Sequence, residues 1–456
     1  GEIQDRNGNV FAKSEKVYNV ILDCVAVNGG DEEEQAKLKE QEIDYIEPTI
    51  DALVKTLGLD EAELRSLITD PATSGSRYQV LKKGISLEEK QTFEDYTEID
   101  SEKEYTKTDL ARRRCVQGVW FEEDYVRDYP LKTLASNVIG VGSNSGGASG
   151  LESYYTDVLS GTDGREFGYL DENSDLQRTI VEPTNGNTIV STLDINIQQV
   201  VEKYIAEFDA EYGKDAEDGK GVIVGNPQNG EIYAMASNHG FDLTDPDDLS
   251  DKYTDAELKS MTEEEKSDAL NEKWYNYCVS ESFEPGSTFK PIVVASALEM
   301  GAITTDATYV CDGGEFVTDT EIKCDNIYGH GDETLSDVIK NSCNDAMMQI
   351  GMKMQITPFL KYQRLFNFGS RTGIDLPNES TGVLYDRDSM HEVELATNTF
   401  GQTFTSTMIQ EYAAFNAVVN GGYYYEPHMV KQILDDNSGV VKNINPVLLR
   451  QPVSTK

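Results

Sequence analysis

The residues best placed by type and spacing to do chemistry lie between positions 283 and 344. The segment Phe283-Glu284-Pro285-Gly286-Ser287-Thr288-Phe289-Lys290-Pro291 runs into an apolar stretch, 292–298, that Gly301 closes. Pro-Gly breaks the chain and a helix starts beyond it. Ser287 therefore stands at a helix N-terminus, where unpaired backbone N–H groups and the positive end of the dipole stabilise developing negative charge. Lys290 lies three residues on, on the same face. A serine hydroxyl becomes a useful nucleophile when a neighbour takes its proton, and a lysine can do that once burial or nearby cations push its pKa down from ~10.4. The spacing alone is not specific, so its weight comes from context. Fifty-five residues past Ser287 stands Asn341-Ser342-Cys343-Asn344, between helical runs at 335–340 and 345–354. A Ser and an Asn two apart on a tight inter-helix connection can present both side chains to one cleft.

A second cluster is Cys311, Cys324 and His330, which fall within 20 residues of one another. A loop can bring two thiolates and an imidazole onto one zinc ion, with a nearby carboxylate as fourth ligand, although the spacing matches no standard zinc motif. A Cys311–Cys324 disulfide outside the cytoplasm and free thiols are the competing readings. The six cysteines contain no CxxC and the four histidines no HExxH, which excludes a zinc ribbon, a thioredoxin motif and a His-rich metal site. The glycine-rich loop 140–147 lacks the third glycine of GxGxxG and has no βαβ frame, so nucleotide binding is not expected there.

The elements that must carry these residues are partly readable. Residues 1–28 read as strand, turn, strand, with Asp5-Arg6-Asn7-Gly8 as the turn. Apolar residues at 50, 53, 54 and 57, ended by Gly58, and again at 64, 67 and 68, mark two helical core faces. The composition changes around Pro183-Thr184-Asn185-Gly186-Asn187. Beyond it come a helix at 194–206 and two β runs, 221–224 and 232–235, joined by a hairpin-like turn at 226–230. A domain boundary is expected near 187. Residues 241–273 contain 12 acidic and 4 basic residues and read as a solvated surface insertion.

In this order and at this separation, with the Glu-Pro-Gly prefix, Ser287-x-x-Lys290 and Ser342-x-Asn344 resemble the first two active-site motifs of the penicillin-recognising serine transpeptidases. The likeness extends along the chain. Residues 1–8 resemble the segment just outside the membrane anchor of class B penicillin-binding proteins. Gly150-Leu151-Glu152 with Leu159-Ser160-Gly161, Thr192-Leu193-Asp194 through Gln198, the 369–377 segment, Phe400-Gly401-Gln402 and Asn420-Gly421-Gly422 resemble further landmarks of that class.

The resemblance implies a multi-domain α+β protein. An elongated N-terminal pedestal, 1–187, of the dimerisation type is followed by a transpeptidase domain, 188–456, an antiparallel sheet flanked by helices. It implies that Ser287 attacks the carbonyl of a D-Ala-D-Ala stem peptide and that Lys290 takes its proton. Ser342 would relay a proton to the leaving amine, Asn344 would bind the peptide, and the Ser287 N–H would supply half of an oxyanion hole. An amine of a neighbouring stem peptide then resolves the acyl-enzyme, giving a cross-link; β-lactams would be acylating inhibitors, and no cofactor is required. A cell-wall glycosyltransferase partner and a place on the extracytoplasmic face of the bacterial plasma membrane are also implied, with the N-terminal anchor missing from this chain. The family's third motif, Lys-Thr/Ser-Gly, is not found. Arg371-Thr372-Gly373 looks like a substitute, but it continues into Ile374-Asp375-Leu376-Pro377, a separate landmark. The chain is therefore expected to be truncated at its C-terminus. The alternatives are a β-lactam sensor or β-lactamase-type acyl-enzyme, which the pedestal disfavours, and a non-catalytic cell-wall scaffold.

Composition agrees with these expectations. With 82 Asp and Glu against 39 Lys and Arg in 456 residues, the net charge of −43 repels phosphate backbones and anionic headgroups, which excludes nucleic acid as a partner. No run approaches the roughly 20 apolar residues that span a bilayer.

Overall fold

The computed structural model describes residues 1–100, 103–143, 146–170, 176–213 and 219–455. The chain divides into two compact units, one of residues 1–13 and 129–456, the other of residues 14–128.

The smaller unit carries the two helices expected from the apolar stripes. Ile46–Leu57 stops at Gly58, whose φ of +66° is a left-handed cap, and Glu61–Thr69 starts behind Asp60, whose carboxylate accepts from the Glu63 N–H. Their buried faces, with Leu53, Leu57, Leu64 and Ile68, pack with Val20, Leu22 and Ile85 from the strands. These strands are the later part of Val10–Leu22 paired with Gln79–Ile85 and with Val119–Asp128.

In the larger unit the sheet is mixed rather than purely antiparallel. Ile3–Gln4 pairs in parallel with Thr188–Ser191, which pairs antiparallel with Val430–Leu434. Residue 187 directly precedes a strand that is hydrogen-bonded on one side to the first residues of the chain and on the other to Val430–Leu434. Segments 1–13 and 129–187 consequently belong to the same compact unit as 188–456.

The Thr192-to-Gln198 segment shows how local chemistry orients the next layer. The Thr192 hydroxyl donates to the Ile232 carbonyl at 2.6 Å, Asp194 caps the helix Ile195–Tyr212, and Gln198 exchanges two bonds with the Met235 backbone. A buried glutamine that satisfies both groups of a strand residue fixes the helix on the hairpin Gly221–Gly225 and Ile232–Ser237, with Val201 and Ile205 packed on Ala234 and Ala236. The acidic insertion forms two short helices, Asp255–Ser260 and Glu263–Lys273, each started by a Thr–Glu capping box and together burying only Ala269. Of the glycine-rich loop at 140–147, residues 144 and 145 lie outside the described residues.

The two core clusters of the larger unit that matter for the site are one around Phe289, Met347, Phe359, Phe366 and Phe368, and one around Ile3, Ile189, Met235 and Val430. No described helix is long and apolar enough to cross a membrane. Because strands Val10–Leu22 and Val119–Asp128 pair, and Arg127 donates to the Ser14 hydroxyl at 3.1 Å, residues 14 and 128 lie close enough for a short linker. Replacing 14–128 by a Gly-Ser linker is expected to leave cooperative thermal unfolding and the far-ultraviolet dichroism per residue of the larger unit intact. A non-cooperative melt would show that the larger unit cannot fold without the smaller.

Candidate active site

Ser287 lies on a 3₁₀ turn, Gly286–Phe289, that feeds directly into the helix Lys290–Glu299, with Pro291 in its first turn. Two glycines make the turn possible. Gly286 has φ +63° and its N–H donates to the Gly401 carbonyl at 2.9 Å; a Cβ on Gly401 would lie 2.0 Å from the Gly286 oxygen. The Phe400-Gly401-Gln402 landmark is thus the backstop of the serine turn. Phe289, on the opposite side, is fully buried in edge-to-face contact with Phe359, Phe368 and Phe404 at 4.9–6.4 Å. Truncation of such an anchor costs ~3–5 kcal/mol. Ser287 itself stays exposed.

Lys290 is 2% exposed, and its ammonium has three acceptors: the Ser342 carbonyl at 2.6 Å, the Ser342 hydroxyl at 2.9 Å and Asn344 Oδ1 at 2.6 Å. None is a carboxylate. Burial pushes its pKa down to about 8, against the opposing pull of Cys324, Cys343 and Asp325. The Ser342 hydroxyl donates in turn to Ser287 Oγ at 2.9 Å. The link from Lys290 to Ser287 therefore runs through Ser342. Each hydroxyl can both donate and accept, so a neutral lysine reverses the chain and draws the Ser287 proton inward.

Ser342 sits on the connection between the helices Leu335–Lys340 and Asn344–Met354, and Asn344 is the first residue of the second. Ser342 has φ +54°, a region costly for a residue with a Cβ and held only where the surroundings over-determine it. Its N–H donates to the Ile339 carbonyl and that of Cys343 to the Val338 carbonyl, closing the first helix, while Cys343 Sγ accepts from the Ala346 N–H and starts the second.

The structure brings Cys311, Cys324 and His330 together, and the fourth member of the group is the thiol of Cys343 rather than a carboxylate. The four ligand atoms all lie within 4.8 Å of one another, with His330 Nδ1 at 3.5 Å from Cys311 Sγ and 4.0 Å from Cys324 Sγ. Cys311 ends the strand Thr308–Cys311, Cys324 follows Thr320–Lys323, and His330 precedes Gly331–Thr334, so two small hairpins converge on the loop of Ser342. All six cysteines are free. Burial opposes ionisation of Cys324, but backbone N–H groups of Asp345, Asn326 and Asn344 outweigh it and lower its pKa. Three thiols and an imidazole form a donor set of the kind that holds zinc, whose Zn–S and Zn–N bonds of roughly 2.3 and 2.0 Å require ligand atoms roughly 3.3–3.8 Å apart. Cys343 was hidden from sequence reading because it occupies the variable position inside Ser-x-Asn; a cysteine at that place was the available signal.

Arg371-Thr372-Gly373 is occupied otherwise. The Thr372 N–H and hydroxyl and the Gly373 N–H all donate to Glu379, and Asp375 accepts from the Met429 and Val430 N–H groups and from the Tyr155 hydroxyl. The segment pins a turn to the central sheet.

Comparison with known proteins gives a consistent result. Residues 220–456 match the model of the penicillin binding protein transpeptidase domain, and residues 1–191 that of the penicillin-binding protein dimerisation domain. The chain is 33% identical over 346 residues to stage V sporulation protein D of Bacillus subtilis, covering 74% of this chain and 50% of that protein. It is 28% identical over 363 residues to the peptidoglycan D,D-transpeptidase MrdA of Acinetobacter baumannii, covering 72% and 51%. The chain spans about half the length of these curated relatives. Among solved structures, penicillin binding protein 2X from Streptococcus thermophilus has the same fold, with a TM-score of 0.75 over 100% of this chain and 63% of that one at 24% identity.

The glycine contact behind the serine turn is open to direct test. Gly401→Ala, at φ +80°, is expected to destabilise by ~1–3 kcal/mol from backbone strain alone, with the clash against Gly286 added. An unchanged denaturation midpoint would show that the turn does not rest on this backstop.

Proposed function

The chain belongs to the class B penicillin-binding proteins, and from that premise we propose that it is a peptidoglycan D,D-transpeptidase in which Ser287 forms the acyl-enzyme. The observation that carries this reading is the continuous hydrogen-bonded path from the buried amine of Lys290 through the Ser342 hydroxyl to the exposed Ser287 hydroxyl. The neutral lysine accepts a proton from Ser342 as Ser342 accepts that of Ser287. Ser287 Oγ attacks the carbonyl of the penultimate D-Ala, and charge develops on the carbonyl oxygen beside the Ser287 N–H. The C–N bond breaks, the proton returns through Ser342 to the departing amine of the terminal D-Ala, and an ester remains on Ser287. An amine of a second stem peptide resolves the ester and forms the cross-link. β-Lactams follow the same first step but keep their leaving amine tethered. Asn344, held against Lys290, positions both the base and the bound peptide.

Residues 1–187 act in this reading as a non-catalytic pedestal. The protein works on the extracytoplasmic face of the plasma membrane with a cell-wall glycosyltransferase as partner. We also propose that Cys311, Cys324, His330 and Cys343 hold one zinc ion, supported by the donor set and its compactness. The ion would be structural, since all four protein ligands complete a tetrahedron without an open position.

Intact-mass measurement after treatment with benzylpenicillin is expected to give one covalent adduct, absent in Ser287→Ala. Retention of the adduct would move the nucleophile elsewhere. Lys290→Ala should lower the second-order acylation rate by ~10²–10⁴-fold. Because only the neutral amine accepts a proton, the wild-type rate should fall about tenfold per pH unit below about 8 and level off above it. A flat profile between pH 6 and 9, a window chosen to bracket about 8, would contradict a lysine base. Elemental analysis of protein purified without chelator is expected to find about one zinc per chain, and none in Cys311→Ser/Cys324→Ser; metal-free wild type would refute the zinc assignment.

A further inference from the structure

Among the buried polar groups outside the path described above, Glu333 is the most exceptional. It is the only buried residue of the strand Gly331–Thr334, an acid turned inward where an apolar side chain is normal, and it is 2% exposed. Its Oε1 accepts from Asn341 Nδ2 at 2.9 Å and lies 3.9 Å from His330 Nδ1, and its carboxyl also meets the Cys343 thiol, which it holds protonated, while its buried Oε2 makes no hydrogen bond of good geometry among the described residues. A buried carboxylate with an unsatisfied oxygen is costly and calls for an explanation beyond filling space.

The explanation is at the other end of the bond. Asn341 is the cap of the helix Leu335–Lys340 and the residue immediately before Ser342, and its side chain is tied to Glu333. Ser342 follows in the left-handed region, a conformation that persists only where its neighbours enforce it. On the C-terminal side the enforcement comes from Cys343 capping the next helix. On the N-terminal side, outside the helix's own backbone bonds, it comes from Glu333. We infer that Glu333 is a positioning residue for the acylation reaction: through Asn341 it holds the backbone of Ser342 so that its carbonyl and hydroxyl both meet Lys290. It touches neither substrate nor Ser287. The inference rests on the proposed role of Ser287, Lys290 and Ser342.

The test uses the second-order rate of benzylpenicillin acylation in the complete chain. Glu333→Gln, which keeps an acceptor for Asn341, is expected to acylate within about threefold of wild type. Glu333→Leu and Asn341→Ala are each expected to lose at least about tenfold, with the pH midpoint set by Lys290 unchanged. The Glu333→Leu/Asn341→Ala double variant should be no slower than the slower single variant, because both break one bond. Wild-type rates in Glu333→Leu would overturn the inference, as would multiplicative losses in the double variant. Equal losses in Gln and Leu variants would also overturn it, since they would assign the effect to charge rather than to the hydrogen bond. Far-ultraviolet dichroism of each variant separates misfolding from misplacement. If Glu333→Leu does not fold, Asn341→Ala decides alone, and a wild-type rate there overturns the inference. Persistence of an adduct in Ser287→Ala would instead remove the underlying functional reading, which makes the two failures distinguishable.

Discussion

The site depends on one amine being buried without a counter-ion. Lys290 donates to a carbonyl, a hydroxyl and an amide oxygen, and every one of these acceptors is neutral. A carboxylate in any of the three places would hold the lysine protonated and useless as a base. Neutral acceptors satisfy the donors, and the desolvation of the charge outweighs the opposing pull of Cys324, Cys343 and Asp325, which is what brings the pKa to about 8. All three acceptors come from Ser342 and Asn344, so the geometry of one tight connection sets both the basicity of the lysine and its path to Ser287.

Much of the surrounding structure serves to fix that connection against the serine turn. Phe289 and its three aromatic neighbours seat the start of the helix, Gly286 and Gly401 let two backbones approach within a hydrogen bond, and Cys343 begins the helix that carries Asn344. On the far side of the connection the four-member thiol and imidazole group draws together two hairpins that would otherwise have small cores of their own. Cys343 belongs to both systems. Its backbone lies between Ser342 and Asn344 and its sulfur lies in the cluster, so the loop is gripped from two directions.

The motifs and most local elements were legible in the sequence because each is a short-range signal. The stripe at 50–57 with Gly58, the helix beginning at 194 and the 226–230 turn all reappear, as Ile46–Leu57, Ile195–Tyr212 and a two-stranded hairpin. Ser287, Lys290, Ser342 and Asn344 converge as their spacing suggested. What could not be read was long-range. The parallel pairing of Ile3–Gln4 with Thr188–Ser191 has no local signature, and it ties the first residues of the chain into the same compact unit as 129–456. Cys343 and Glu333 were missed for a related reason. One was masked as the spacer of a motif, and the other is an acid whose burial depends on a strand register, Tyr309 opposite Glu333, that hydrophobicity does not encode.

The central claim is that Lys290 is a buried amine whose three acceptors are all neutral, and its ionisation can be measured without any turnover. A side-chain NMR titration of selectively labelled lysine, with the Lys290 signal assigned by its absence in Lys290→Arg, should show this one amine losing its proton near pH 8. The ordinary value for a solvated lysine is ~10.4. A Lys290 midpoint at or above that ordinary value would contradict the account, because an amine protonated throughout the physiological range cannot take the Ser287 proton.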